Sequence, residues 1–190
     1  MTSSSAVERP SSWVVRFMPL IPAGEVLDLA CGGGRHARLL AGGGHRVVAV
    51  DRNADALAAL AAHGIDTLPI DLEADGICWT FQPGRFAGIV VTNYLHRPLF
   101  PHIVSSLAPG GVLIYETFAQ GNAQFGKPSN PDFLLRTGEL LEMARASAPY
   151  PLRVIAFEDG WTDQPKPAMV QRICAIKQVQ DAAPGQLRLF

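Results

Sequence analysis

A short apolar run that stops at three successive glycines constrains this chain more than any other feature. Glu25-Val-Leu-Asp-Leu-Ala30 ends in Cys31-Gly-Gly-Gly34, and Arg35 to Ala41 follows with helical spacing before a second triplet, Gly42 to Gly44. A buried strand entering a glycine loop that opens a helix begins a β-α-β unit, and such units build parallel sheets. The pattern then repeats. His45–Val50 reads as a strand, Ala54–Ala62 as a helix capped by Asn53, Asp66–Ile70 as a weaker strand and Phe86–Thr92 as a strong one. Pro101–Leu107 is predicted helical and closed by Pro109-Gly-Gly111, and Val112–Phe118 is the next strand. Upstream, Ser11 and Ser12 can cap a short helix, Trp13 to Met18, before the turn from Pro19 to Gly24.

Downstream, Thr137–Ala146 is predicted helical, with strands at about 152–158 and 168–177. About ten residues, centred on Gly160-Trp-Thr-Asp-Gln-Pro165, join those two strands. That is too short for a helical crossover and enough for a hairpin. The expected fold is α/β and doubly wound: a mostly parallel seven-stranded sheet, helices on both faces, and an antiparallel C-terminal hairpin strand. Residues 1–12 are expected to be a loose N-terminus, 13–178 one domain and 179–190 a tail.

Composition sets the remaining bounds. With 190 residues, 48% hydrophobic and 17% charged, the chain can build the core of one domain. Sixteen basic against seventeen acidic side chains give a net charge of -1, which argues against a broad nucleic-acid surface. Cys31, Cys78 and Cys174 are widely scattered and form no C-x-x-C pair, a usage that fits a reducing compartment and no zinc site. Met1–Ala6 carries no basic residue, the apolar run after it is broken by Arg16, Pro19 and Pro22, and no stretch approaches a membrane span. A soluble, cytoplasmic protein is expected. No His/Asp/Glu spacing suggests a metal.

Ligands of such sheets bind at the carboxyl ends of the strands. Asp28 lies near the end of the first strand, Gly32 to Gly34 let backbone approach a ligand, and Asp51 ends the second strand, where a carboxylate can accept both hydroxyls of a ribose. Gly32-x-Gly34-x-x-Ala37 also matches the dinucleotide fingerprint, with Asp51 nineteen residues after Gly32. Against a dinucleotide stand Asp28, an anion beside a loop meant for pyrophosphate, and the terminal hairpin. A ligand presenting an ammonium group would gain from Asp28. A nicotinamide-dependent oxidoreductase stays as the alternative.

Glu25-Val-Leu-Asp-Leu-Ala-Cys-Gly-Gly-Gly-Arg-His36 followed by Val47-Val-Ala-Val-Asp51 resembles the first two motifs of class I S-adenosylmethionine-dependent methyltransferases. The resemblance extends over about 13–178 and implies that fold, S-adenosylmethionine as cofactor and methyl transfer as activity. It implies that Asp28, Ala30, Cys31 and the Gly32–Gly34 backbone hold the methionine moiety, and that Asp51, with Arg52 beside it, holds the ribose. Asp71 and Leu72 would flank the adenine, with Glu73 or Asp75 as substitutes for Asp71, and Asn93 would border the methionine end. Ala30 stands where the family has its first glycine. Val91-Thr-Asn-Tyr-Leu-His-Arg-Pro98, with Tyr115-Glu-Thr-Phe118, is more loosely similar to the small-molecule and tellurite-resistance-type branch. Neither an N-P-P-Y-type motif nor a Pro-Cys nucleophile follows the fourth strand, which turns the expectation from nucleic-acid bases to a small-molecule acceptor.

Methyl transfer from a sulfonium is an in-line displacement, for which a protein mainly supplies alignment and a dry pocket. For an acceptor that must lose a proton, His96 is the first candidate base and Glu116 the second; His96 can equally cap the following helix. Tyr94, Phe118 or Trp13 can face a cationic donor or serve as packing. Residues 119–133 are rich in Gly, Asn and Pro, and within them Gly121–Pro131 is the expected lid, where Lys127, together with Arg97, can recognise an anionic acceptor or equally be a solvated charge. His36 is expected on a solvated helix face, and His45, His63 and His102 at surface or boundary positions. A cofactor-binding domain without turnover is the non-enzymatic alternative. The acceptor atom and the oligomeric state are not legible.

Overall fold

The computed structural model describes residues 9–74, 79–147 and 152–178. The serine-rich start at 1–8, Asp75, Cys78 and the tail 179–190 lie outside the described residues. Helix α1 (Ser12–Phe17) is capped by Ser11, whose hydroxyl accepts from the Trp13 N–H at 3.1 Å. Strand β1 (Glu25–Leu29) leads through the glycine loop into α2 (Arg35–Gly42). Strand β2 (Arg46–Asp51) leads into α3 (Ala54–Ala61), whose cap Asn53 accepts from the Ala56 N–H at 3.1 Å. Then come β3 (Asp66–Pro69), β4 (Phe86–Thr92), α4 (Phe100–Ser106), β5 (Leu107–Phe118), α5 (Glu139–Arg145), β6 (Leu152–Thr162) and β7 (Ala168–Lys177).

The seven strands form one sheet in the order β3-β2-β1-β4-β5-β7-β6. All pairs up to β4–β5 are parallel; β7 runs antiparallel to both β5 and β6. The expected hairpin is therefore present, with the last strand inserted between β5 and the edge strand β6. One expectation is corrected in detail. Pro109-Gly-Gly111 does not separate α4 from a strand beginning at Val112 but sits inside β5 as a bulge: Phe86 pairs with Leu107, and Gly88 with Val112.

Side chains alternate between two cores. Leu27, Leu29, Val48, Val50, Ile89, Val91, Leu113, Tyr115 and Ile173 pack under α4 and α5, while Val26, Val47, Ala49, Val90, Ile114 and Cys174 pack under α1, α2 and α3. The second face matters most for function. Across it, Ala49, Asp28, Val90, Ile114, Cys174 and Ala156 lie side by side in register, apolar except for Asp28. Two residues nearer the carboxyl ends of the parallel strands the row becomes polar: Thr92, Glu116, Arg172 and Glu158 are neighbours, and Asp51 occupies the same level on β2.

Candidate functional site

The glycine loop is built around three left-handed residues. Ala30 and Gly32 have φ of 54° and 53°, and Gly34, at φ 73°, passes so close to α3 that a Cβ there would lie 2.3 Å from a Leu60 methyl. Beside Gly32 a Cβ would meet nothing within 4 Å. The loop therefore packs tightly on the protein side and is open on the other, the shape of a backbone cradle. Cys31 is buried; its N–H donates to the Val50 carbonyl at 2.9 Å, tying the loop to β2.

Asp51 closes the cradle. Its Oδ2 accepts from the Gly32 N–H at 2.8 Å and its Oδ1 from the Asn53 N–H at 2.9 Å, leaving further lone pairs for hydroxyl donors. Asp28 is 1% exposed and its Oδ2 has no partner among the described residues. Burial pushes its carboxyl up to about 7, opposed by the Ala37 backbone N–H and by Arg35. Arg52 and Asp71 are exposed, with Asp71 accepting from the Glu73 N–H at 3.0 Å, and Leu72 is buried in the α4/α5 core. Asn93, at φ 55°, donates its N–H to the Glu116 carbonyl at 2.9 Å, so the turn after β4 is pinned to β5.

Tyr94 and His96 follow β4, and Glu116 lies near the end of the neighbouring β5. The Tyr94 hydroxyl and His96 Nε2 are buried without partners, and the Tyr94 carbonyl accepts from the Tyr115 hydroxyl at 2.9 Å. Burial, and then the charges of Glu73 and Asp71, raise the Tyr94 phenol. His96 precedes a short 3-10 turn, Arg97–Leu99, without capping it through its side chain. Glu116 is 8% exposed, and its Oε2 lies 2.6 Å from Arg172 Nε without hydrogen-bond alignment, so both atoms remain unsatisfied.

Arg97 is already engaged. Its guanidinium donates to both Glu139 oxygens and to the carbonyls of Asp132 and Leu134, so an anionic acceptor would compete with a carboxylate that is 3% exposed. Those bonds hold residues 119–138 on the domain, helped by Asn122, which accepts from the Met169 N–H. Lys127 is exposed on that segment and Phe118 is half-buried at its root. Trp13 is core: it is 3% exposed, donates Nε1 to the Ile173 carbonyl and packs edge-on against Phe17.

Two residues read otherwise from sequence. His36 is 1% exposed rather than solvated; its Nε2 accepts from the Ser11 N–H at 3.0 Å, leaving Nδ1 to donate to Thr92 Oγ1 at 3.3 Å. Burial, followed by Arg35, lowers it to about 4, which fixes it as neutral. Arg172 went unremarked in sequence. The available signal was alternation: Val170, Arg172 and Cys174 share one face of a strand whose other members there are apolar.

Among the described residues, no group of His, Cys, Asp and Glu is placed to hold a metal, and no helix is long and apolar enough to cross a membrane. Residues 26–111 match the family described as a methyltransferase domain. Trans-aconitate 2-methyltransferase of Paracidovorax citrulli is 34% identical over 115 residues, covering 55% of this chain and 43% of that protein. TehB from Haemophilus influenzae superposes with a TM-score of 0.68 at 22% identity, over 89% of this chain and 63% of that one. An S-adenosylmethionine dependent methyltransferase from Mesorhizobium loti gives 0.67 at 18%, over 90% and 98%. Residues 26–111 thus resemble a methyltransferase domain, and the chain shares the fold of a structure named as S-adenosylmethionine dependent. The residues fit S-adenosylmethionine: a buried carboxylate with one oxygen open to an ammonium, an open cradle, and a strand-end carboxylate for hydroxyls. The chain spans less than half the length of the curated relative it matches.

Proposed function

We propose that this chain transfers a methyl group from S-adenosylmethionine to a small-molecule acceptor, with residues 13–178 as the working unit. One observation carries the reading. Asp28 Oδ2, Tyr94 Oη and His96 Nε2 are buried without hydrogen-bond partners among the described residues, Glu116 Oε2 and Arg172 Nε meet only as an ion pair without hydrogen-bond alignment, and all five lie toward the carboxyl ends of the parallel strands. Native interiors satisfy nearly all such atoms, so a cluster of exceptions at one rim marks where a ligand completes the bonding. The sheet order, with β7 antiparallel inside it, differs from the all-parallel dinucleotide arrangement and favours methyl transfer over hydride transfer.

In this reading Asp28 receives the ammonium of the methionine moiety, and Ala30, Cys31, Gly32 and Gly34 supply backbone around it. Asp51 accepts the ribose hydroxyls with Arg52 beside it, Asp71 and Leu72 flank the adenine, and Asn93 borders the methionine end. The bound cofactor supplies an electrophilic methyl on a sulfonium. The protein's part is to hold the acceptor in line and keep water out. His96 Nε2 and Glu116 stand on the acceptor side as proton acceptors, Tyr94 and Phe118 shape the pocket, and the 119–133 segment with Lys127 and Arg97 forms its wall. The curated relative is named for a small acid, and the balanced charge of this chain also favours a small molecule over nucleic acid. Free, buried Cys31 and Cys174 support a cytoplasmic site.

Calorimetric titration tests the reading. S-adenosylmethionine and S-adenosylhomocysteine are expected to bind at micromolar concentration. Asp51→Ala should weaken them about 10- to 150-fold, the equivalent of ~1.5–3 kcal/mol for charge-assisted hydrogen bonds. Binding of NAD or NADP alone would hand the site to the oxidoreductase alternative.

A further inference from the structure

The polar row on the α1/α2 face continues past the cofactor residues. Asp51 on β2, Thr92 on β4, Glu116 on β5, Arg172 on β7 and Glu158 on β6 share one level and one face of the sheet. Neighbouring strands lie about 4.8 Å apart, so Glu116 is one step from Thr92 and roughly 10 Å along the row from β1, where Asp28 marks the methionine end. A ligand laid from Asp51 past Asp28 brings its transferable end toward β4 and β5. Thr92 Oγ1 is already engaged with His36, which leaves Glu116 as the next acceptor group.

Arg172 sits between Glu116 at 2.6 Å and Glu158 at 3.3 Å, giving the trio a formal charge of -1. The Arg172 and Glu116 side chains are 14% and 11% exposed and form a buried pair, while Glu158, at 50%, carries the excess negative charge at the solvent edge. Arg97, another guanidinium near the rim, is paired with Glu139, while Arg35 and Arg52 lie toward Asp28 and Tyr94. The matched methyltransferase-domain segment ends at 111, before Glu116, Arg172 and Glu158.

We infer that this site takes an acceptor bearing an N–H or O–H donor, received by Glu116, and rejects carboxylates. The inference rests on the methyl-transfer reading above. The acceptor's lone pair forms the new bond to the methyl carbon, and the carbon–sulfur bond breaks with its electrons remaining on sulfur. The acceptor's proton passes to the Glu116 carboxylate and on to water. A carboxylate acceptor would need no such base and would meet like charge.

The full chain is incubated with methyl-labelled S-adenosylmethionine and a deproteinised metabolite extract, and separately with trans-aconitate as a defined probe. Products are then exposed to mild alkali. Methyl esters release volatile labelled methanol, whereas N-methyl and ether products keep the label. Alkali-stable label and no transfer to trans-aconitate are expected; predominantly alkali-labile label, or transfer to trans-aconitate, overturns the inference. Glu116→Gln should lower transfer roughly a hundredfold, the scale of general-base catalysis, with S-adenosylmethionine affinity changed less than about twofold. Unchanged transfer in that variant equally overturns it. Failure of the methyl-transfer reading itself registers separately, as loss of S-adenosylmethionine binding by the unaltered protein.

Discussion

Four substitutions in the glycine loop separate backbone strain from steric fit. Gly32 and Gly34 are both left-handed, but a Cβ at Gly32 would meet nothing within 4 Å, whereas at Gly34 it would lie 2.3 and 2.4 Å from the two Leu60 methyls. Leu60 is fully buried and cannot swing away. A left-handed L-residue carries about 1–2 kcal/mol of strain, offset by about 0.5–1 kcal/mol from the smaller unfolded-state entropy of alanine. Gly32→Ala should therefore destabilise by roughly 0.5–1 kcal/mol. Gly34→Ala adds an overpacking penalty of about 1–3 kcal/mol, for roughly 2–4 kcal/mol in all. Gly33→Ala, neither left-handed nor crowded, should be neutral or slightly stabilising. Ala30→Gly should stabilise by roughly 0.5–1 kcal/mol, because Ala30 already bears the strain at φ 54°. Urea unfolding of the ligand-free chain, followed by circular dichroism, reads the series. With a slope of about 2 kcal/mol per molar, Gly34→Ala should move the midpoint down by roughly 1–2 M. A Gly34→Ala protein no less stable than Gly32→Ala would refute the argument.

Asp28 and His36 titrate against one another. With Asp28 raised to about 7, the ligand-free fold loses stability as pH rises from about 4 to 7, on the order of 4 kcal/mol; with His36 lowered to about 4, it loses stability as pH falls through the same range. Urea midpoints of the unaltered chain should thus be nearly flat from pH 4 to 6.5, while Asp28→Asn should lose stability on acidification and His36→Gln should gain it; parallel profiles for all three would contradict this. If the ammonium of the methionine moiety sits on Asp28, binding at pH 6 should release close to one proton, measurable by calorimetry in buffers of different ionisation enthalpy. Arg97→Met strands the Glu139 carboxylate and frees two carbonyls, a loss of about 2–4 kcal/mol given partial exposure of the pair, with proteolysis inside 119–138 accelerated; unchanged cleavage would show that the pair does not hold that segment.

The strands were legible because a sheet buried on both faces needs near-continuous apolar runs, and Phe86–Thr92 or His45–Val50 can hardly be anything else. The hairpin was legible from the length of its connection. Its place was not: a short link fixes the antiparallel sense of β6 and β7 but not which of them pairs with β5. Pro109-Gly-Gly111 was read as a turn because its chemistry is that of a turn, and only the pairing of Phe86 with Leu107 shows it to be a bulge. Asp28 and Asp51 stood out because carboxylates at two successive strand ends have no packing role. Arg172 and Glu116 meet only through the register of β5 on β7, and Arg97 finds Glu139 across 42 residues, neither of which local pattern encodes. His36 was misjudged for the same reason: its burial depends on the Ser11 N–H, 25 residues earlier.

The position of β7 has a consequence for synthesis. β7 is made after β6 yet lies inside it in the sheet; it fills the slot between β5 and β6. Until Ala168–Lys177 has emerged, Val112–Phe118 presents an unpaired edge of seven residues, most of them apolar, and β6 has no sheet to join. An unpaired apolar edge is a template for another chain. Nascent or truncated chains stopping short of residue 168 should therefore associate with one another through β5, and a segment spanning 168–177 supplied in trans should suppress that association by occupying the same slot.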